Sequence, residues 1–359
     1  MTERLLFGPG PSLVSARVMS ALARPVLGHL DPVLLGVMDD LRARLARVFR
    51  APDGSRVFAV SGTGTSAMET AVANLVEPGS KALVVVTGYF GLRLADIARR
   101  YGAEVRTVEC EWGRAIDPSA VESALAAFSA DVVAIVHAET STGVRNPVRE
   151  VAALAHARGA LVIADCVTSL GGQEVDMAGW GLDVVYSGAQ KCLGAPSGLA
   201  PIAFAPSALA RLVACRSFYF DAALLEDYWA ARKYHHTICS PLVLAFHEAL
   251  VAIEGEGLEA RWARHARVHK AFADGLADLG LSLLPPAEER LMTLNAVRIP
   301  DGVNDVAVRT ALRERFSIEI GGGMGPLAGK IWRIGLMGAS ATEAHVLTLL
   351  GALELTVAG

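Results

Sequence analysis

The sequence predicts an α/β fold in which helices cover both faces of a mostly parallel sheet. Short, continuously apolar runs rich in β-branched residues alternate with stretches of helical period, a pattern typical of parallel strands joined by helices. The chain has 359 residues, which is more than a single hydrophobic core usually serves. We therefore expect a large domain followed by a smaller one.

The elements of the large domain follow from this alternation. The predicted strands cover residues 56–60, 82–86, 132–136, 161–164, 184–186 and 202–204. The predicted helices between them cover residues 66–76, 91–101, 118–128 and 148–158. The apolar runs are short and are broken by Gly, Pro, Asp or Arg.

The pattern of predicted helices and strands changes after Gly257, which indicates the smaller domain. Residues 258–279 have the spacing of one long amphipathic helix, and the segments beyond it (291–299, 306–316, 331–336 and 342–355) alternate between strand and helix patterns. We expect an α+β domain over residues 257–359 and a large domain over residues 1–256. The sequence does not mark this domain boundary sharply, because residues 242–256 also have a helical pattern.

Charge and hydropathy exclude several classes of protein. The net charge is −4, with both signs interspersed, which argues against binding to nucleic acid or to a membrane surface. Mean hydropathy is high, at +0.39, but no apolar run reaches the roughly 18 to 20 residues that a membrane span needs. The first residues lack the apolar core of a signal peptide, so we expect a cytoplasmic protein.

The five cysteines stand far apart and include no Cys-x-x-Cys pair. This spacing is typical of reduced thiols and indicates neither a disulfide framework nor a metal site. His235 and His236 are adjacent, and neighbours on an extended segment point to opposite faces. We therefore predict no bound metal.

Lys191 is the only charged residue between Asp183 and Arg211, and it lies in a run of small residues over 187–196. An amine removed from water has a lowered pKa and can act as a nucleophile. The alternative is an ordinary lysine whose stem lies on apolar surface while its ammonium stays in water. A desolvated lysine suits covalent attachment to a carbonyl, above all to that of pyridoxal phosphate.

A glycine-rich turn joins the first large-domain strand to its helix and contains Thr63, Gly64 and Thr65. Backbone N–H groups and the helix dipole at such a turn favour a phosphate. The alternative is an ordinary Ser or Thr helix cap. The spacing matches neither a dinucleotide motif nor a P-loop.

Asp165 ends the strand at 161–164 and is the only acid between Glu150 and Glu174. Ligands bind at the carboxyl ends of strands in open parallel sheets, although a strand-end Asp can also simply cap a turn. Pyridoxal phosphate needs a phosphate site, a carboxylate for its ring nitrogen and an amine for its aldehyde. The turn, Asp165 and Lys191 occur in that order.

Six segments together resemble the class V aminotransferases of fold type I, in particular the alanine–glyoxylate and serine–glyoxylate group. Each is weak alone, but their order is specific, and the resemblance covers essentially the whole chain. The segments are residues 6–11, 139–144, 165–172, 186–191, 234–238 and 332–338.

The resemblance implies roles for single residues. Lys191 would hold the cofactor and carry the proton, Asp165 would pair with the ring nitrogen, and Arg333 would bind the substrate carboxylate. The residues implied around the phosphate are Thr63, Gly64, Thr65 and Gln190, with Tyr234 and Thr237 reaching it from the neighbouring subunit of a homodimer. Those implied around the ring are Thr140, Val167 and Phe90.

Two positions depart from the family pattern as it is known in one member. Phe90 stands where that member has Trp stacked on the cofactor, and Thr65 stands where it has His. Phe can still stack on a ring and Thr can still donate to phosphate, so we expect cofactor binding to persist. The two differences weaken the argument that this chain has the same substrate preference as that family member.

The predicted function is transfer of an amino group from a small amino acid, such as alanine or serine, to a 2-oxo acid, with glyoxylate as the expected acceptor. A lyase or desulfurase reaction on the same cofactor, or a different donor and acceptor pair, is the alternative. A non-catalytic or nucleotide-binding α/β protein would explain the sheet but neither the isolated Lys191 nor Arg333.

Overall fold

The structure, a computed structural model, describes residues 4–357. The strands are β1 Leu5–Leu6, β2 Arg56–Gly62, β3 Lys81–Val86, β4 Glu104–Glu109, β5 Val132–Val136, β6 Ala138–Glu139, β7 Val144–Arg145, β8 Leu161–Asp165, β9 Val184–Tyr186, β10 Gly198–Phe204, β11 Leu294–Arg298, β12 Ile318–Glu319, β13 Gly321–Gly322 and β14 Ile331–Gly335. The helices are α1 Ala16–Leu22, α2 Pro32–Phe49, α3 Gly64–Leu75, α4 Tyr89–Arg100, α5 Pro118–Ala127, α6 Val148–His156, α7 Pro206–Leu209, α8 Ala222–Ala231, α9 Ser240–Glu256, α10 Leu258–Asp278, α11 Asp305–Arg315 and α12 Glu343–Val357.

The central sheet confirms the predicted α/β class. Among residues 4–357 it has the strand order β2-β10-β9-β8-β5-β3-β4. Only β10 runs antiparallel to its neighbours. Strand β4 was not predicted, because its exposed and partly buried residues alternate at the sheet edge and never form a continuous apolar run.

Strand register brings the candidate residues of the central sheet to one edge. Asp165 closes β8 and pairs with Val136 of β5 on one side and with Tyr186 of β9 on the other. Strand β2 ends at Gly62, just before α3 begins at Gly64. The glycine-rich turn, Asp165 and the segment leading to Lys191 therefore start at the same edge of the sheet, where β2, β8 and β9 end.

A second hydrophobic core lies outside the central sheet. It is formed by residues of α10, α11 and α12 together with the small sheet β11-β14-β13. Phe7, near the amino terminus, is fully buried in this core, and β1 pairs in parallel with β12. The amino-terminal segment thus packs with residues more than 250 positions away in the sequence.

Residues 7–12 connect this second core to the segment that carries Lys191. The amide of Gly335 donates to the Phe7 carbonyl at 2.8 Å. Five residues on, the Ser12 hydroxyl donates to the carbonyl of Lys191 at 2.8 Å. The end of β14 and the backbone of Lys191 are therefore held by one short stretch of chain.

No helix within residues 4–357 combines the length and apolarity that crossing a bilayer requires. Residues 1–3, which belong to the stretch used for the signal-peptide prediction, lie outside the described residues, as do residues 358 and 359 at the end of the predicted small domain.

Candidate active site

Lys191 lies between β9 and β10, and its side chain is partly buried. Its amine donates a hydrogen bond to the Pro9 carbonyl. Burial lowers the pKa of Lys191 to about 8, and the positive charge of Arg333 also lowers it. Partial burial and a lowered pKa are the surroundings that the sequence analysis predicts for this amine, and its role as the cofactor-binding amine stays a prediction.

Asp165 is fully buried at the end of β8, and its two oxygens have different partners. Oδ1 accepts from the Val167 amide at 2.9 Å, and Oδ2 accepts from the Tyr186 hydroxyl at 3.0 Å. Burial raises the pKa of Asp165 to about 7, although both hydrogen bonds oppose this shift. A cationic nitrogen brought against this carboxyl would favour its ionised form.

Lys191 and Asp165 line the same cavity, which has a volume of about 210 Å³. The structure brings every predicted cofactor residue of the chain to this cavity except Tyr234 and Thr237. The lining residues are Thr63, Gly64, Thr65, Met68, Phe90, Arg93, Val136, Ala138, Thr140, Asp165, Val167, Gln190 and Lys191.

One end of the cavity offers hydrogen-bond donors to an anion. Helix α3 begins there, and the Thr63 side chain does not cap it. A Cβ on Gly64 would lie 2.7 Å from Val167 Cγ2, so only glycine allows the backbone this close approach. Gln190 also lines the cavity, and its side-chain amide nitrogen can donate a hydrogen bond. An open helix start and an amide donor fit a phosphate-bearing ligand.

The middle of the cavity suits a flat ring. Phe90 belongs to the first turn of α4, and Val167 lies two residues beyond the end of β8. Both side chains are apolar and partly exposed to the cavity. The Thr140 hydroxyl also lines the cavity and shares a 2.8 Å hydrogen bond with the Thr168 hydroxyl. An aromatic ligand would meet apolar groups and one hydroxyl here.

Arg333 is not among the residues that line this cavity, but its charge affects Lys191. It occupies the middle of β14 and is only 9% exposed. Its Nε donates to the Gly322 carbonyl at 2.7 Å, and it forms no ion pair with any carboxylate of residues 4–357. A mostly buried guanidinium with free N–H groups is well suited to a carboxylate ligand.

Tyr234 and Thr237 lie away from the chain's own cavity. Tyr234 is 61% exposed, and its hydroxyl lies 3.4 Å from that of Thr237. The prediction that His235 and His236 point to opposite faces is wrong. Residues 232–239 form no strand, and the two imidazole Nδ1 atoms lie 2.8 Å apart. In the described part of the chain, no three His, Cys, Asp or Glu side chains are grouped to hold a metal ion.

Two charged residues near the cavity were not singled out from the sequence. Arg93 lines the cavity and donates to the Thr65 hydroxyl at 2.9 Å. Glu139 is fully buried, and its carboxylate accepts from Ser141 and from the first amides of α4. Burial raises the pKa of Glu139. Glu139 could have been found from the sequence, because it is the only charged residue in the segment 138–144. Arg93 gave no such signal, because it resembles any charged residue of an amphipathic helix.

The central sheet and the cavity at its strand ends together have the architecture of a fold type I aminotransferase. The chain belongs to the class V aminotransferase family, whose model matches residues 17–332. It is 40% identical to an alanine–glyoxylate aminotransferase of Drosophila melanogaster, an alignment that covers 96% of this chain and 90% of the relative.

Two further comparisons extend the likeness to bacterial proteins. An (S)-ureidoglycine–glyoxylate transaminase of Bacillus subtilis is 36% identical over 98% of this chain and 90% of its own length. The crystal structure of an alanine–glyoxylate aminotransferase from Nostoc sp. superposes with a TM-score of 0.97 and is 43% identical, with 99% of this chain and 96% of that chain covered. The predicted family is therefore confirmed.

Proposed function

We propose that this protein is a pyridoxal-phosphate-dependent aminotransferase that moves an amino group from a small amino acid, alanine or serine, to glyoxylate. The three relatives described above, at 36–43% identity, carry names that contain glyoxylate as one substrate. Their named amino donors differ, so the donor rests on the residues of this chain. The lyase and desulfurase alternatives are not favoured, because these relatives are named as aminotransferases or transaminases.

The observation that carries the proposal is that Lys191 and Asp165 line the same cavity. Their pKa values, about 8 and about 7, are both displaced toward neutrality by burial. Displaced pKa values of an acid and a base in one cavity are typical of catalytic sites.

The chemistry of the reaction is divided between the cofactor and the protein. Bound pyridoxal phosphate would supply an aldehyde and an electron-withdrawing ring. Lys191 would hold the cofactor through its amine and, once released, move a proton from the substrate Cα. A low pKa suits both tasks, because each requires the uncharged amine.

Asp165 and Arg333 would orient the reacting groups. Asp165 would hold a proton on the ring nitrogen, and its hydrogen bonds to the Val167 amide and the Tyr186 hydroxyl fix its direction. Arg333 would bind the substrate carboxylate with the N–H groups that Gly322 leaves free. This arrangement positions the Cα proton relative to Lys191.

We infer a preference for substrates with one carboxylate from the surroundings of Arg333. Arg333 pairs across the sheet with Ala296 of β11 and Gly321 of β13, neither of which carries a charge. Nearby Arg309 is already paired with Asp305. Alanine, serine and glycine are therefore expected before aspartate and glutamate.

A donor panel tests this function directly. Alanine, serine, glycine, aspartate and glutamate would each be combined with glyoxylate or pyruvate, and the new amino acid measured by chromatography. We expect turnover with alanine or serine and glyoxylate, with ping-pong kinetics. Faster turnover with aspartate or glutamate would contradict the one-carboxylate argument, and no turnover with any pair would contradict the proposed function.

We propose a homodimer in which Tyr234 and Thr237 complete the phosphate site of the other subunit. Their hydroxyls lie outside the chain's own cavity, and exposed apolar side chains occur on nearby segments, among them Phe218 at 68% exposure. A chain with such a surface would gain by covering it. An active, cofactor-loaded monomer in solution would contradict this arrangement.

The division of the chain into residues 1–256 and 257–359 is also proposed. It is supported by the two separate hydrophobic cores and by the end of α9 at Glu256. Phe7 is an exception, because it belongs to residues 1–256 but packs in the second core. We propose a cytoplasmic location as well, since the cysteines of the described residues are free thiols.

A further inference from the structure

The phosphate end of the cavity is built mainly from neutral groups. Thr63, Gly64, Thr65 and Gln190 offer hydroxyl, amide and backbone donors. The start of α3 adds a partial charge of roughly half a unit. A phosphate monoester carries close to two negative charges near neutral pH. Neutral donors and a helix start therefore leave much of that charge uncompensated.

Arg93 places a full positive charge at this end. It lies one turn after Phe90 on α4, and its guanidinium carbon is 5.0 Å from the centre of the Phe90 ring. Nη1 donates to the Thr65 hydroxyl at 2.9 Å. The ring and the hydroxyl hold the guanidinium beside the turn that begins α3.

No acid neutralises this charge within residues 4–357. The acid nearest in sequence, Asp96, pairs with Arg100, and Glu69 on α3 accepts from the Tyr101 hydroxyl. The acid that lines the cavity, Asp165, is held by Val167 and Tyr186. Arg93 is thus available to a ligand anion.

The hydrogen bond from Arg93 to the Thr65 hydroxyl also affects where that hydroxyl can donate its own proton. A hydroxyl that accepts from a guanidinium still has one proton to donate. Since Arg93 occupies an acceptor position of Thr65, the Thr65 proton is free to go to an oxygen of the ligand. Arg93 would act on the phosphate by its charge and by orienting this donor.

We propose that Arg93 is the positioning residue that makes this cavity select the phosphorylated form of pyridoxal over the unphosphorylated form. The inference rests on the proposed function, and it adds a determinant of cofactor selection on a helix outside the glycine-rich turn. Threonine at position 65 lacks a charge of its own, so the cation comes from α4.

The test compares the affinity of the apoenzyme for pyridoxal phosphate and for pyridoxal, both followed by the absorbance of the bound aldehyde. The quantity of interest is the ratio of the two affinities. We expect Arg93→Gln to lower this ratio by about tenfold or more, the loss typical of a hydrogen bond to a charged group. Pyridoxal affinity should change by less than about twofold, and Arg93→Lys should recover most of the ratio.

Val167→Ala is the matched control, because Val167 lines the same cavity but follows β8 and lies on another segment than Arg93. It removes apolar contact with the ring, so both affinities should fall together and their ratio should stay near that of the wild type. Circular dichroism and thermal melting check the folding of each variant. If Arg93→Gln does not fold, Arg93→Met keeps the apolar stem over Phe90 and should show the same loss of ratio.

An unchanged ratio in a folded Arg93→Gln or Arg93→Met variant would overturn the assignment. An equal loss for both aldehydes would overturn it as well, since Arg93 would then only support the cavity. Failure of the wild-type protein to bind either aldehyde through Lys191 would instead contradict the proposed function. The two failures are therefore distinguishable.

Discussion

The residues predicted to hold the cofactor lie in two regions that the chain holds in different ways. Lys191, Asp165 and the turn at 63–65 are positioned by strand ends at one edge of the central sheet and line one cavity. Tyr234 and Thr237 lie on an irregular segment between α8 and α9, outside that cavity. A single chain therefore brings the proposed amine and ring subsites together, whereas these two hydroxyls would contribute only from the proposed second subunit.

The largest expected effect comes from Lys191→Ala. Without the desolvated amine, the protein should lose covalent attachment of the cofactor, and turnover should fall by about a thousandfold or more, since base catalysis alone supplies up to about four orders of magnitude. Absorbance and turnover measure both losses.

Lys233→Ala is the control from the second region. That lysine is exposed and paired with Asp227, so the substitution should leave cofactor attachment unchanged. If Lys233→Ala lost as much cofactor attachment as Lys191→Ala, the two regions would not differ in the way proposed.

Asp165→Asn should keep the cofactor bound but lower kcat by about 100- to 1,000-fold, the range found when one electrostatic contact to a reacting group is removed. An amide cannot stabilise a proton on the ring nitrogen, so the ring withdraws electrons poorly. Steady-state kinetics with matched absorbance spectra measure the effect. Near-normal turnover would make Asp165 a turn residue only.

Arg333→Lys should raise KM for both the amino and the oxo substrate by about 10- to 100-fold, because the charge remains but the paired N–H geometry is lost. The cofactor spectrum should not change. Arg309→Lys is the control, since Arg309 already pairs with Asp305. Loss of the cofactor in the Arg333 variant, or normal substrate binding, would show a structural role.

The rate at which the apoenzyme captures pyridoxal should rise about tenfold between pH 6 and pH 7 and level off above about pH 9. Only the uncharged amine reacts, and burial lowers the pKa of Lys191 from the usual 10.5 to about 8. Stopped-flow absorbance measures the profile. A rate that still climbs several-fold between pH 9 and pH 10, as an amine with the usual pKa of 10.5 would give, would contradict the desolvated amine.

The smallest signal is expected from mixed dimers. Thr237→Glu would place a carboxylate against the partner's phosphate site and abolish activity. Mixing it with Lys191→Ala should regenerate about a quarter of wild-type activity, because half of randomly mixed dimers contain one intact site. No recovery after verified subunit exchange would contradict the shared site.

The sequence predicted the parts of the site that local pattern controls. Asp165 was found because a buried strand ends there, and Lys191 because nearly thirty residues around it carry no other charge. Arg93 and Glu139 were missed as site residues because their importance depends on tertiary neighbours, the Thr65 hydroxyl and the start of α4. The His235–His236 geometry was wrong because an irregular segment does not alternate its side chains as a strand does.

The central claim is that Lys191 is the amine that binds the cofactor, and borohydride reduction of the loaded protein tests it most directly. Reduction should abolish the visible absorbance and leave the cofactor permanently attached. Peptide mapping by mass spectrometry then locates it. We predict the label on the peptide that contains Lys191; a label on Lys81, Lys233, Lys270 or Lys330 would contradict the account.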